Sequence, residues 1–133
     1  MNDKEAWVLE WFKKADGDLR AAEVLIRLEY PSSDIVCFHT QQCVEKYLKG
    51  FLSFHEKEFP KTHDLVELLT GCEDIDPAFA KWEAICRSLT IYTIASRYPD
   101  DTYEYTVTEA EEAISHANDL KDFVRSKVGL EKR

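Results

Sequence analysis

Glycine is scarce in this chain and never clustered. The four glycines of the 133 residues, Gly17, Gly50, Gly71 and Gly129, each stand alone. No G-x-G and no G-x-x-x-x-G-K run exists. That excludes the dinucleotide fingerprint and the P-loop, because both need clustered glycines to bring backbone N–H groups against phosphate. Basic charge is also in deficit, with 17 Lys and Arg against 26 Asp and Glu and a net charge of −9. A protein that grips long duplex DNA by charge shows the opposite sign, although a local basic patch is compatible with this balance. No run of roughly 18 apolar residues occurs, so no membrane-spanning helix is expected. The opening Met1-Asn2-Asp3-Lys4-Glu5 lacks the basic and apolar regions of a secretory signal, and a cytoplasmic location is expected. The four cysteines, Cys37, Cys43, Cys72 and Cys86, form no C-x-x-C pair and no zinc-finger spacing with histidine. They read as free, mostly buried thiols. H-E-x-x-H, G-x-S-x-G and carboxylate–histidine clusters at metal-ligand spacing are missing. No metal and no cofactor is expected.

What is present suits a helical core. Hydrophobic residues make up 44% of the chain and aromatics 12%, which excludes wholesale disorder. The length fits a single domain over residues 1–133, with its core from about 3 to 128. Pro31, Pro60, Pro77 and Pro99 divide the chain, since proline belongs between helices or in a first turn. The first segment runs from about Asp3 to Leu28. Its stripe is Trp7, Trp11, Ala15, Leu19, Ala22 and Leu25/Ile26, and Asn2 with Glu5 resembles a reciprocal N-cap pair. The second runs from about Ser33 to Glu56, capped by Ser32 or Ser33. Its apolar face is Val36, Thr40, Val44, Leu48 and Leu52, with Cys43, Tyr47 and Phe51 alongside. The third, short, runs from His63 to about Thr70, with Thr62 as cap and Gly71 as stop. The fourth opens at Asp76-Pro77, carries Trp82, Ile85/Cys86, Leu89 and Tyr92/Thr93, and reaches about Arg97. The fifth starts at Thr108 with Glu111 as a capping box and carries Ala110, Ala113/Ile114, Ala117, Leu120, Val124 and Val128. Residues Tyr98 to Val107 read as an irregular link in which a short strand would have no partner, and Glu131-Lys132-Arg133 as a fraying tail. The fold expected is all-α: an up-and-down helical bundle of four long helices plus one short helix.

Three groups of polar residues could carry chemistry. On the second helix, His39, Gln42, Glu45, Lys46 and Lys49 recur on neighbouring turns. They could hold a phosphate, or form a solvated face with a Glu45–Lys49 pair. In Lys61-Thr62-His63-Asp64, a histidine in the first turn of the third helix would be kept neutral by the positive helix end and could act as a general base, or the segment only shapes a turn. In Arg97-Tyr98-Pro99-Asp100, a rigid turn could aim the arginine at phosphate, or the arginine only answers the helix C-terminus. His55 and His116 have no evident partners.

Gln41 to Lys49 (Q-Q-C-V-E-K-Y-L-K), Phe59 to Leu65 (F-P-K-T-H-D-L) and Ser96 to Asp100 (S-R-Y-P-D) follow one another in the chain. Together with Trp11, Ala15, Asp18-Leu19 and Ala22, they resemble the HEPN domain (higher eukaryotes and prokaryotes nucleotide-binding), in the form that carries R-Y-P, over about Trp7 to Val128. The resemblance implies a helical bundle that is often a homodimer and is frequently encoded beside a minimal nucleotidyltransferase, as in toxin–antitoxin modules. Several branches are metal-independent ribonucleases whose site is an arginine followed four to six residues later by a histidine. Here neither Arg97 nor Arg87 has a histidine at that distance.

The reading that ranks first is therefore a module that homodimerises, binds nucleotide or nucleic-acid phosphate and partners a minimal nucleotidyltransferase. Its ligand-binding candidates are Gln42, Lys46, Lys49, His63, Arg97, Tyr98 and Asp100. The second is a metal-independent ribonuclease with a non-standard site, whose catalytic candidates are His63 and Arg97, with His39 as another proton donor or acceptor. The third is a purely structural helical interaction domain.

Overall fold

The computed structural model describes residues 2–95 and 104–130. Its elements are α1 (Asp3–Leu25), α2 (Ser33–Phe54), α3 (Leu65–Ile75), a short 3-10 helix (Pro77–Trp82), α4 (Glu83–Ala95) and α5 (Val107–Val128). There is no strand among the described residues, and the architecture is the all-helical bundle expected. Helix α2 is the central post, packed against α1, α3, α4 and α5.

Local chemistry explains the elements. Asn2 caps α1 by accepting the Glu5 N–H at 2.8 Å. The buried stripe of α1 is Val8, Phe12, Ala15, Leu19 and Ala22, stepping by four and three. Trp7, expected in that stripe, is 61% exposed, because Val8 and Phe12 set the register in which α1 meets α2. Phe12 stacks on Tyr47 at 4.8 Å between ring centroids. Helix α1 stops at Leu25, and two turn hydrogen bonds, Arg27 N–H to Val24 O and Leu28 N–H to Leu25 O, carry the chain to Leu28. Helix α2 buries Val36, Thr40, Cys43, Val44, Tyr47, Leu48, Phe51 and Leu52, as its periodicity requires. Ser32 occupies its N-cap position without a side-chain hydrogen bond.

The exit from α2 aims the next segment. Lys57 N–H bonds Leu52 O at 2.9 Å and Glu56 N–H bonds Ser53 O at 3.0 Å, the paired bonds of a Schellman ending. Glu56 takes the left-handed conformation that glycine usually supplies, with φ of 54°. The chain therefore reverses, and residues 57–64 return along α2. Lys57 Nζ then bonds Gly71 O at 3.3 Å and Asp74 at 3.1 Å, tying this segment to α3.

Other boundaries differ from the sequence expectation too: the fourth helix opens as the 3-10 turn Pro77–Trp82, and α4 proper begins at Glu83. Helix α3 begins at Leu65 with Asp64 as cap, Asp64 Oδ1 accepting the N–H of Val66 at 2.9 Å; Thr62 instead accepts the Asp64 N–H at 3.0 Å. Gly71 lies inside α3, where a β-carbon would sit 3.3 Å from Leu52, so it serves packing and does not stop the helix. The capping box of α5 is Thr106 with Glu109, one T-x-x-E motif upstream of Thr108 with Glu111. Val107 is consequently the first residue of α5, and Glu104 to Thr106 are non-helical. The residues Ser96 to Tyr103 and Glu131-Lys132-Arg133 lie outside the described residues.

The rest of the core follows the pattern. Asp76 caps Pro77–Trp82, and α4 then buries Cys86, Leu89 and Tyr92. Helix α5 buries Ala110, Ala113, Ala117, Leu120, Val124 and Val128, whose small members allow close packing on α2. Phe51, Phe79 and Phe123 meet in a chain of rings with centroids 4.4 and 4.9 Å apart.

Candidate functional site

Four positions of α2 escape the core on one line: His39, Gln42, Lys46 and Lys49, spaced by three, four and three. Helix α1 flanks this line on one side and residues 57–64 on the other. Each flank supplies one group that organises it.

From α1 comes Asp18, whose side chain is 13% exposed. Its carboxylate accepts from His39 Nδ1 at 2.9 Å and from Lys46 Nζ. On the other side the organising carboxylate is Glu45 of α2 itself, at 5% side-chain exposure. Glu45 accepts from His63 Nδ1 at 2.9 Å, Lys49 Nζ at 3.0 Å and Gln41 Nε2 at 3.3 Å. Gln41, fully buried, also donates to the His63 carbonyl at 3.1 Å and accepts from Gln42 Nε2 at 2.6 Å. Both the ring and the backbone of His63 are thus tied to α2. Two residues on, the chain is tied again: Leu65 N–H donates to Thr90 Oγ1 of α4 at 3.1 Å. The aliphatic part of the site is closed by Trp11 and Phe59, each with the Lys49 ammonium 5.8 Å from its ring centroid.

The chemistry follows from donor counting. A carboxylate only accepts, so Nδ1 of His39 and of His63 each carries the proton in these bonds. In a neutral imidazole bonded this way, the opposite nitrogen, Nε2, is the one with a lone pair. The His63 side chain is 51% exposed, against 29% for His39. His63 precedes the cap of α3 and is not in its first turn, so its ring is oriented by Glu45 and not by the helix end. Lys46 and Lys49 are not free cations: each is matched by one carboxylate, Asp18 and Glu45. The Glu45–Lys49 pair is largely buried and shared with His63, not a solvated rung.

The structure brings together Gln42, Lys46, Lys49 and His63 of the predicted residues, with His39 beside them. Arg97, Tyr98 and Asp100 lie outside the described residues. Gln41 and Asp18 were not singled out from the sequence as site residues. Gln41 sits at a core position of α2, and a fully buried amide there is the signal that could have marked it. A second ionic cluster centres on Asp16 of α1. Asp16 accepts the Tyr47 hydroxyl, Lys121 Nζ at 3.2 Å and Arg125 Nη2 at 3.0 Å, while Arg125 Nε donates to the Tyr47 oxygen at 3.1 Å. Burial would raise the Asp16 pKa, but the Tyr47 hydroxyl, Lys121 and Arg125 outweigh it and hold the carboxyl below its usual range. This cluster clamps α1, α2 and α5 together.

The four thiols are free and buried. Burial pushes Cys37 and Cys86 up to about 12 and raises Cys43 and Cys72 as well, so none is a ready nucleophile. Among the described residues no group of three or more His, Cys, Asp or Glu could hold a metal ion. Nor is any described helix long and apolar enough to cross a membrane.

Comparison with known proteins places this geometry in context. The family model described as HEPN domain matches residues 8–127. A Methanocaldococcus jannaschii protein named "Putative toxin MJ1304" is 29% identical over 140 aligned positions, covering 90% of each chain. Two crystal structures share the fold. ST0689, an archaeal HEPN homologue, is 32% identical with a TM-score of 0.73, over 91% of this chain and 97% of that one. TT1696 from Thermus thermophilus is 31% identical with a TM-score of 0.77, over 90% and 97%.

Proposed function

We propose that this chain, which belongs to the HEPN domain family, is the toxin-like half of a two-component module. In this reading it homodimerises in the cytoplasm, binds the phosphate of a nucleotide or RNA on the partly exposed line of α2, and partners a minimal nucleotidyltransferase. The relative named "Putative toxin MJ1304", aligned over 90% of both chains, supports the module. The observation that carries the phosphate reading is the convergence of Gln42, Lys46, Lys49 and His63 on one face, each held by a partner inside the fold. Such side chains are already oriented before a ligand arrives, which lowers the entropic cost of binding.

The charge arrangement sets the kind of binding. Two lysines face two carboxylates, so the site is near balance and recognises by N–H geometry more than by field. The test is fluorescence anisotropy with a single-stranded RNA oligonucleotide and with ATP. Lys46→Ala and Lys49→Ala each lower affinity about tenfold, the worth of one charge-assisted hydrogen bond. The logarithm of affinity falls with the logarithm of salt at a slope no steeper than about −1.4, as for two phosphates of a single strand. Unchanged affinity in both variants removes the site from the reading, and a much steeper slope points to a broad basic surface elsewhere. One observation favours the second reading, a metal-independent ribonuclease with a non-standard Arg97/His63 site: the pairing of His63 with buried Glu45.

A further inference from the structure

We infer that the exposed ring of Trp7 is a stacking platform for the base of a nucleotide whose phosphate lies on the α2 line. This deepens the phosphate-binding reading above and rests on it. Trp7, Trp11, Lys14 and Asp18 step by four, three and four along one face of α1. Asp18, at one end of that face, holds Lys46, and Trp11 lies beside Lys49, so the face runs along the phosphate line. At the other end the rings form a row. Phe59 and Trp11 meet edge to face, with centroids 6.3 Å apart and planes at 67°. Trp11 and Trp7 meet in the same way, at 6.3 Å and 78°. Trp11 is the anchored member: it is partly buried, and its Cβ is 3.2 Å from where a β-carbon on Gly50 would sit. Trp7 is the free end of the row, 61% exposed.

A single exposed apolar residue is ordinary on a protein surface. Trp7 differs in its setting. It lines an open pocket with Glu10, Trp11 and Lys14, and the accessible wall of that pocket is apolar. Glu10 and Lys14, both exposed, add an acceptor and a donor beside that wall. A nucleobase has the matching layout, an apolar face with an edge of donors and acceptors. Stacking also supplies what the lysines lack. Lys46 and Lys49 are matched by Asp18 and Glu45, and the chain carries a net charge of −9, so attraction for phosphate alone is weak. A ring contact is not ionic, so salt does not screen it, and it selects a nucleotide over free phosphate.

The surroundings of the ring disfavour a second copy of the chain as its occupant. Asp3, Glu10, Lys13 and Lys14 are exposed charged neighbours of Trp7 on α1. The centre of a stable protein interface is instead a contiguous apolar patch depleted of charge. Trp7 stands one ring beyond Trp11 from Lys49. A phosphate at Lys49 and a base on Trp7 therefore belong to one nucleotide or to neighbours on one strand.

The experiment measures anisotropy with a labelled single-stranded RNA oligonucleotide and with an abasic strand of the same length. The native chain binds the RNA more tightly than the abasic strand. Trp7→Ala lowers affinity for the RNA about tenfold, the scale of one base–aromatic stack, and leaves the abasic affinity and the salt slope unchanged. Trp7→Phe keeps most of the affinity. Tryptophan fluorescence supplies a reading that does not depend on the alanine variant: RNA quenches the native chain, and the quench shrinks in Trp7→Phe while binding persists. Competition by adenosine monophosphate but not by ribose 5-phosphate supports a free nucleotide on the ring, and competition by unlabelled RNA alone supports a strand. Native RNA affinity in folded Trp7→Ala overturns the proposal, as does equal binding of RNA and abasic strand. If Lys46→Ala and Lys49→Ala still weaken binding in that case, the phosphate reading stands without the platform. A Trp7→Ala chain that loses self-association in sedimentation while keeping its RNA affinity also overturns the proposal, and assigns the ring to a contact between copies. Absence of any binding by the native chain removes both readings together.

Discussion

Gly50 has no room for a β-carbon. On the backbone of α2 it would lie 2.6 Å from Phe12 Cε1, 3.0 Å from Phe12 Cδ1 and 3.2 Å from Trp11 Cβ. The Phe12 ring cannot yield easily, since it is fully buried and stacked on Tyr47. Gly50→Ala must therefore push α1 and α2 apart, and the expected loss is about 1–3 kcal/mol, read as a lower urea midpoint at unchanged slope. The same scale shows why Glu45 was hard to interpret from sequence. A glutamate four residues before a lysine on a helix reads as a surface rung, and the motif itself says nothing about burial. Burial comes from residues 57–64 folding back over α2, which depends on the reversal at Glu56. The line of His39, Gln42, Lys46 and Lys49 was legible because it is local periodicity. The pairings that hold it were not, because Asp18 comes from 28 residues away and His63 reaches Glu45 across 18.

At the scale of elements, the stripes of α2, α4 and α5 were readable and the boundaries less so. The reason lies in duplicated signals. Thr106 with Glu109 and Thr108 with Glu111 both satisfy the capping-box pattern, and only the upstream pair forms it. Thr106→Ala should cost about 1 kcal/mol in thermal or urea unfolding, whereas Thr108→Ala, one residue inside the helix, should leave the cap intact. The ambiguity at α3 is similar: Thr62 and Asp64 are both cap types, and the Thr62 hydroxyl bonding Asp64 N–H makes the aspartate the cap. Gly71 read as a stop because glycine often ends helices, but its use here is contact with Leu52.

For the whole molecule, two carboxylates link stability to acid. Asp16 is held low because the Tyr47 hydroxyl, Lys121 and Arg125 outweigh burial; Asp76 is held low first by Lys127, at 2.8 Å, and then by the Ala78 N–H. Both therefore titrate below the ordinary value of 3.8 in the folded chain. Their contribution is complete above 3.8 and is lost as pH falls through the folded values, because the unfolded chain then binds more protons. Melting temperature followed from pH 6 downward should hold level and then fall below about pH 4. Asp16→Asn should flatten that fall while lowering stability at neutral pH, since it removes the charge facing Lys121 and Arg125.

Helix α2 is both the post around which the core closes and the rail that carries Gln41, Gln42, Glu45, Lys46 and Lys49. A site mounted there differs from one built on a lid. Its core amides are expected among the last to open, so hydrogen exchange in the middle of α2 should track global unfolding. A ligand bound on this rail adds its binding free energy to the whole fold, about 2.7 kcal/mol at a hundred times its dissociation constant. For a ligand bound there, recognition and endurance would be a single thermodynamic quantity.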